Sequence, residues 1–126
     1  MTKREFSTGA NRNSDEGKLD FEGFFSPFVL ERIAEYMQKH RATEDGTLRD
    51  SDNWQKGMPR DAYIKSAWRH FHAWWTCHRG HVEYGNIIRE DNSHAVDAIC
   101  ALIFNAMGYL HEVLRNRDVG ADDGGS

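Results

Sequence analysis

The stretch Ser93-His-Ala-Val-Asp97-Ala-Ile-Cys100-Ala-Leu-Ile-Phe104-Asn105-Ala-Met-Gly108-Tyr-Leu-His-Glu112-Val-Leu-Arg115 decides the fold. Set at helical spacing, Val96, Ile99, Cys100, Leu102, Ile103, Phe104, Ala106, Met107, Leu110, Val113 and Leu114 cover well over half of the circumference. A helix apolar over so wide an arc is surrounded by other helices. Three helices rarely enclose one of their own members that fully, so the pattern predicts a homodimer that completes a bundle across a two-fold axis. The arc left uncovered carries His94, Asp97, Ala101, Asn105, Gly108 and Glu112.

Working outward, Pro59 opens a second helix that runs to about His78 and stops at Arg79-Gly80, a basic last turn followed by glycine. Its apolar stripe is Ile64, Ala67, Trp68, Phe71 and Trp75. Before it, Ser26 is a natural N-cap and Pro27 a natural first residue for a helix over 27–40, where Val29, Leu30, Ile33, Tyr36 and Met37 recur at helical spacing. The residues between, 40–58, hold the turn formers Asp45-Gly46 and Ser51-Asp52-Asn53. Trp54 in that loop implies that the loop packs onto the body. Residues 81–91 read as a second loop turning at Gly85-Asn86, and Asn92 or Ser93 can cap the last helix. The reading is all-α: three main helices with no strand and no internal repeat. It divides into a polar N-terminal arm (1–24), a helical domain (25–116) and a tail (117–126) whose composition favours disorder.

At 126 residues the chain has the size of one domain, and its net charge of −4 argues against binding polymeric nucleic acid. A few local cations can still hold the phosphates of one nucleotide. No uninterrupted apolar run suggests a membrane span, and Met1-Thr2-Lys3-Arg4-Glu5 lacks the apolar stretch of a secretory signal. Cys77 and Cys100 fall inside apolar helical patterns, as free thiols of a reducing compartment do. These features predict a cytoplasmic protein.

Chemistry concentrates at few places. His94 and Asp97 are three residues apart on one helix face, a spacing that holds divalent metals in bundle cores, and Asn105 continues the stripe. The same spacing also suits an ordinary solvent face. His70 borders the apolar stripe of the second helix, whose other edge carries Lys65, Arg69 and His72. Arginine in such a set can grip phosphate oxygens through its planar fork, and a snorkelling solvent face has the same composition. Glu31 and Glu35 could form a carboxylate pair, with Lys39 placed to pair with Glu35. There is no P-loop, no G-x-S-x-G, no H-E-x-x-H and no C-x-x-C.

Several stretches together resemble a phage family of dATP/dGTP diphosphohydrolases. They are Phe6-Ser-Thr-Gly-Ala-Asn-Arg-Asn13 with Glu16-Gly17-Lys18, Ser51-Asp-Asn-Trp-Gln-Lys-Gly-Met-Pro59, Trp68-Arg-His-Phe71, and Ala98-Ile-Cys-Ala-Leu-Ile-Phe-Asn105. The resemblance covers nearly all of the chain outside the tail. It implies hydrolysis of a purine deoxynucleoside triphosphate to the monophosphate and pyrophosphate, and a distant kinship with MazG-like all-helical pyrophosphohydrolases. It further implies a divalent metal (Mg²⁺, Mn²⁺ or another transition metal) on His70, His94 and Asp97. Asp97, Arg69 and Lys65 would then be catalytic, and Lys18, Trp54 and Asn105 would bind substrate. The chain departs from the MazG pattern in having no E-x-x-E followed by E-x-x-D. Two other readings fit the residues alone: a non-enzymatic helical interaction module, whose four tryptophans serve an interface, and a nucleotide-binding protein without turnover.

Overall fold

The computed structural model describes residues 3–5, 7–14, 16–80 and 93–119. The chain falls into two compact units, residues 1–30 and 31–126. The first unit corrects the expectation of no strands. Strands β1 (Lys3–Glu5) and β2 (Asn11–Asn13) pair antiparallel in the register Lys3↔Asn13, Arg4↔Arg12, Glu5↔Asn11. Three polar residues per strand carry no two-residue periodicity, so no pattern announces them. Helix α1 (Phe21–Phe24) is a single turn, capped where the Asp20 carboxylate accepts from the Gly23 backbone N–H at 2.9 Å. Ser26 then caps α2 (Pro27–Lys39) as its residue type foretells, its Oγ accepting from the Val29 N–H at 3.2 Å.

The second unit takes the C-terminal part of α2, a 3₁₀ turn over Asn53–Lys56, and the two long helices α3 (Arg60–His78) and α4 (Ser93–Val119). Helix α3 ends where the sequence places its stop: the Gly80 N–H donates to the Cys77 carbonyl at 3.0 Å with Gly80 at a positive φ of 74°. The expected turn at Gly85-Asn86, the alternative cap Asn92 and the end of the tail (120–126) lie outside the described residues.

Helices α3 and α4 pack antiparallel. Tyr63, early in α3, meets Phe104 at 6.4 Å between ring centroids, while His70 and Ala73 share a pocket with His94, Asp97 and Ala98. Tyr63 is 1% exposed, the largest fully buried side chain of the described residues. Its ring lies directly on Gly108, where a Cβ would fall 2.2 Å from the Tyr63 Cε1.

That contact reverses one expectation about α4. Its polar, small-residue arc was expected to be left uncovered. Instead Ala101, Asn105 and Glu112 are buried, and the space over Gly108 is filled by Tyr63. Part of the apolar arc is open instead: Met107, Leu110 and Leu114 on α4 are exposed, as are Ile64, Trp68, Phe71 and Trp75 on α3, while Cys100 is buried. Between them runs an apolar groove of about 430 Å³, edged by Ile64, Ala67, Ala106 and Leu110. Hydrophobic patterning identifies two faces of a helix, but which face the chain itself covers depends on packing that the pattern does not encode. By length and composition His94–Asn116 is also apolar enough to cross a membrane, with mean hydropathy 1.2. Asn105 and Glu112 are nonetheless buried within the protein.

The 3₁₀ turn packs onto α4, as its tryptophan predicts. Trp54 stands edge-on to His111 at 4.9 Å and to Phe104 at 6.1 Å between ring centroids. Gly57 follows with φ of 112°, a conformation that favours glycine, and Glu112 Oε2 receives the Met58 N–H at 3.4 Å. Pro59 then caps α3. The Asn53-to-Pro59 motif is therefore a fastening of the loop to the helix pair.

Candidate functional site

Two adjoining pockets lie in the second unit, of about 450 and 340 Å³. Each is within the range of roughly 300–1,000 Å³ typical of small-molecule sites. They share Tyr36, His40 and His70, so the three rings stand at the junction of one continuous cleft. Helix α2 supplies Tyr36, and His40 follows directly after it, with ring centroids 4.2 Å apart. The His40 Nδ1 lies 2.9 Å from the Tyr36 carbonyl. Helix α3 supplies His70.

The smaller pocket adds Lys39, His94 and Asp97, and the larger adds Trp54, Asn105, Arg41 and Arg49. Thus five of the expected site residues line one cleft: His70, His94, Asp97, Trp54 and Asn105. Lys65 and Arg69 are exposed and line neither pocket. Lys18 belongs to the first unit, exposed beside the turn at Gly17.

Asp97 is an ion-pair hub. Its Oδ1 accepts from Arg32 Nη2 at 2.6 Å and its Oδ2 from Lys39 Nζ at 3.3 Å. Burial pushes its carboxyl upward, but the hydrogen bonds from Arg32 and Lys39 outweigh that and hold it below the ordinary range. The expected pairing of Lys39 with Glu35 gives way to this longer-range one, and Glu31 and Glu35 stay exposed. His70 is pushed the other way from protonation: burial lowers it first, then the neighbouring charge of Arg69, then His40. All three influences disfavour its imidazolium form. Asn105 donates from Nδ2 to the Ala101 carbonyl at 2.7 Å, which fixes its amide at 7% exposure.

The described residues do not form a preassembled metal site. No group of three or more His, Cys, Asp or Glu side chains among them could hold an ion, and both Asp97 oxygens already face cations. Sequence reasoning missed Tyr36, His40, Arg32, Arg41 and Arg49. Only the run Lys39-His40-Arg41 at the end of α2 gave a compositional signal, as cations at a helix C-terminus are common for other reasons.

The second unit is thus a helical domain with a histidine-centred cleft, lined by Lys39, Arg41 and Arg49 and bearing Trp54 at one end. Residues 8–121 match the family described as dATP/dGTP diphosphohydrolase, N-terminal, and the chain belongs to that family. No curated protein and no solved structure matches it.

Proposed function

We propose that the cleft hydrolyses purine deoxynucleoside triphosphates to the monophosphate and pyrophosphate. One observation carries the reading: a half-buried His70, whose surroundings disfavour the imidazolium, stands where a pocket bearing Trp54 and Asn105 joins a pocket bearing Lys39, His94 and Asp97. The base would stack toward Trp54, and the α-phosphate would come to the junction. There His70 accepts a proton from water as the oxygen attacks the α-phosphorus. The bond to the bridging oxygen breaks and pyrophosphate leaves with its electron pair. Asp97 holds Lys39 toward the phosphates, and Arg69 keeps His70 unprotonated from outside the cleft. The divalent ion belongs to the substrate in this proposal, as magnesium or manganese carried on the triphosphate. The family name supports the substrate class.

The test is pyrophosphate release from a panel of deoxy- and ribonucleoside triphosphates with Mg²⁺ or Mn²⁺. Turnover should be confined to, or highest for, dATP and dGTP, and should fall about tenfold or more in Asp97→Asn, because Lys39 loses its charged partner. No release from any triphosphate by the wild-type protein would overturn the reading.

We also propose that the open face of α3 and α4 is a homodimer interface in a cytoplasmic protein. Seven exposed side chains, Ile64, Trp68, Phe71, Trp75, Met107, Leu110 and Leu114, form its two stripes. At roughly 100 Å² each they amount to about 700 Å², above the largest apolar patch of an ordinary monomer and near one partner's share of a standard interface. Leu110, 55% exposed, sits beside the groove. Leu110→Glu should convert a dimer to a monomer in sedimentation equilibrium with its helical circular dichroism retained. A wild-type protein that sediments as a monomer would refute the interface.

A further inference from the structure

The segment between α2 and the 3₁₀ turn is a small, tightly tied hairpin. An antiparallel bridge joins Ala42 to Leu48. The Thr43 N–H donates to the Thr47 carbonyl at 2.8 Å and the Arg49 N–H to the Arg41 carbonyl at 2.9 Å. At the tip the Asp45 carboxylate accepts from the Thr47 N–H at 3.1 Å and from the Thr43 and Thr47 hydroxyls. Those bonds hold its carboxyl at about 2, with the Thr43 hydroxyl the largest cause.

At its base the hairpin fixes two arginines. Arg41 donates from Nε to the Arg49 carbonyl at 2.8 Å and from Nη1 to Gln38 Oε1 at 3.2 Å. Arg49 donates from Nη1 to the His40 carbonyl at 3.0 Å. All three acceptors are neutral, so the bonds orient the guanidiniums without cancelling their charge. Each arginine has five N–H donors, and Arg41 commits two of its nitrogens and Arg49 one. Both line the larger pocket. Asp50, the carboxylate in that lining, forms an ion pair with neither. By contrast, Arg32 and Lys39 are both paired to Asp97. In a chain of net charge −4, two oriented guanidiniums on one pocket wall, without an ion-pair partner among the described residues, are a device for anions.

We infer that this hairpin is a polyphosphate clamp, in which Arg41 and Arg49 hold the two phosphates that depart as pyrophosphate. The inference rests on the proposed hydrolase reading and adds to it the residues that tell a triphosphate from a monophosphate. As the bond between the α-phosphorus and the bridging oxygen breaks, its electron pair passes to the pyrophosphate, and the two guanidiniums face the charge that accumulates there.

Titration calorimetry with inorganic pyrophosphate and with deoxyadenosine monophosphate tests it in the whole chain. Arg41→Gln and Arg49→Gln should each weaken pyrophosphate binding about tenfold. Monophosphate affinity should change less than about twofold in both. Because Arg41 also ties the hairpin, Thr47→Ala serves as the control: it loosens the tip and leaves both charges, so pyrophosphate affinity should fall less than in Arg49→Gln. Pyrophosphate bound equally well by the double variant, or not bound by wild type, would overturn the clamp, as would a parallel loss of monophosphate. The two readings separate cleanly. Arginine-dependent pyrophosphate binding in a protein that never releases pyrophosphate would keep the clamp and remove the hydrolase. Undiminished turnover in the double variant would do the reverse.

Discussion

Gly108→Ala is expected to destabilise the protein by about 3 kcal/mol, at the upper end of what overpacking a tight core costs. A Cβ at this position would lie 2.2 Å from Cε1, 2.4 Å from Cζ and 2.8 Å from the hydroxyl oxygen of Tyr63. None of these atoms can yield by turning about a flexible chain, because they belong to one rigid ring that is 1% exposed. Relief requires the ring to leave its site or α3 to move off α4. For a domain of this size the loss corresponds to a fall of roughly 10–15 °C in the midpoint of thermal unfolding. Tyr63→Ala alone should also cost about 3 kcal/mol, through the cavity it leaves. Combined with Gly108→Ala it should cost much less than the sum, since the added methyl then occupies vacated space. Strict additivity in this cycle, read by denaturant unfolding, would show that the two residues do not meet. Asn105 lies one turn before Gly108, so the same substitution should disturb the Trp54 end of the cleft.

The same helix shows how far a sequence pattern carries and where it stops. The three long helices were legible because their boundaries are local chemistry: Ser26-Pro27 starts α2, Pro59 starts α3, and Arg79-Gly80 ends it. The Trp54 loop was legible too, since an aromatic that large has to be packed. The direction in which α4 faces was not. Its stripes are distinct in sequence, but covering the polar one requires Tyr63 to sit on Gly108 and Glu112 to receive the Met58 N–H, contacts between residues 45 and 54 positions apart. The candidate site divides along the same line. His70, His94 and Asp97 stand out by residue type and helical spacing. Arg41 and Arg49 do not, because what distinguishes them is the backbone carbonyls they donate to, and only the hairpin brings those within reach. Asp97 was noticed for its carboxylate and expected to meet a metal. Its partners Arg32 and Lys39 come from another helix, 65 and 58 residues away.

His70→Ala should lower kcat by about a thousandfold, within the range of roughly 10²–10⁴ that a positioned general base contributes. KM should change little if the phosphates are held by Arg41 and Arg49. The pH profile gives a sharper test. His70 acts only when unprotonated, so activity should be full above its pKa and fall as the pH drops through it. That acid limb should lie below the ordinary histidine value of 6.5, since burial, Arg69 and His40 all disfavour the imidazolium. The charged and titratable groups lining this part of the cleft with His70 are Tyr36, Lys39 and His40 at the end of α2 and His94 and Asp97 on α4, while Arg69 neighbours His70 on α3 from outside it. Arg69 is exposed and lines neither pocket, so it can be changed without touching bound substrate. Arg69→Gln removes one cause of the depression, and the acid limb should move to higher pH with the plateau rate nearly unchanged. Arg69→Glu should move it further in the same direction, because a carboxylate favours the imidazolium that the guanidinium opposes. An acid limb that stays fixed in both variants, or that survives unaltered in His70→Ala, would mean that some other group takes the proton from water.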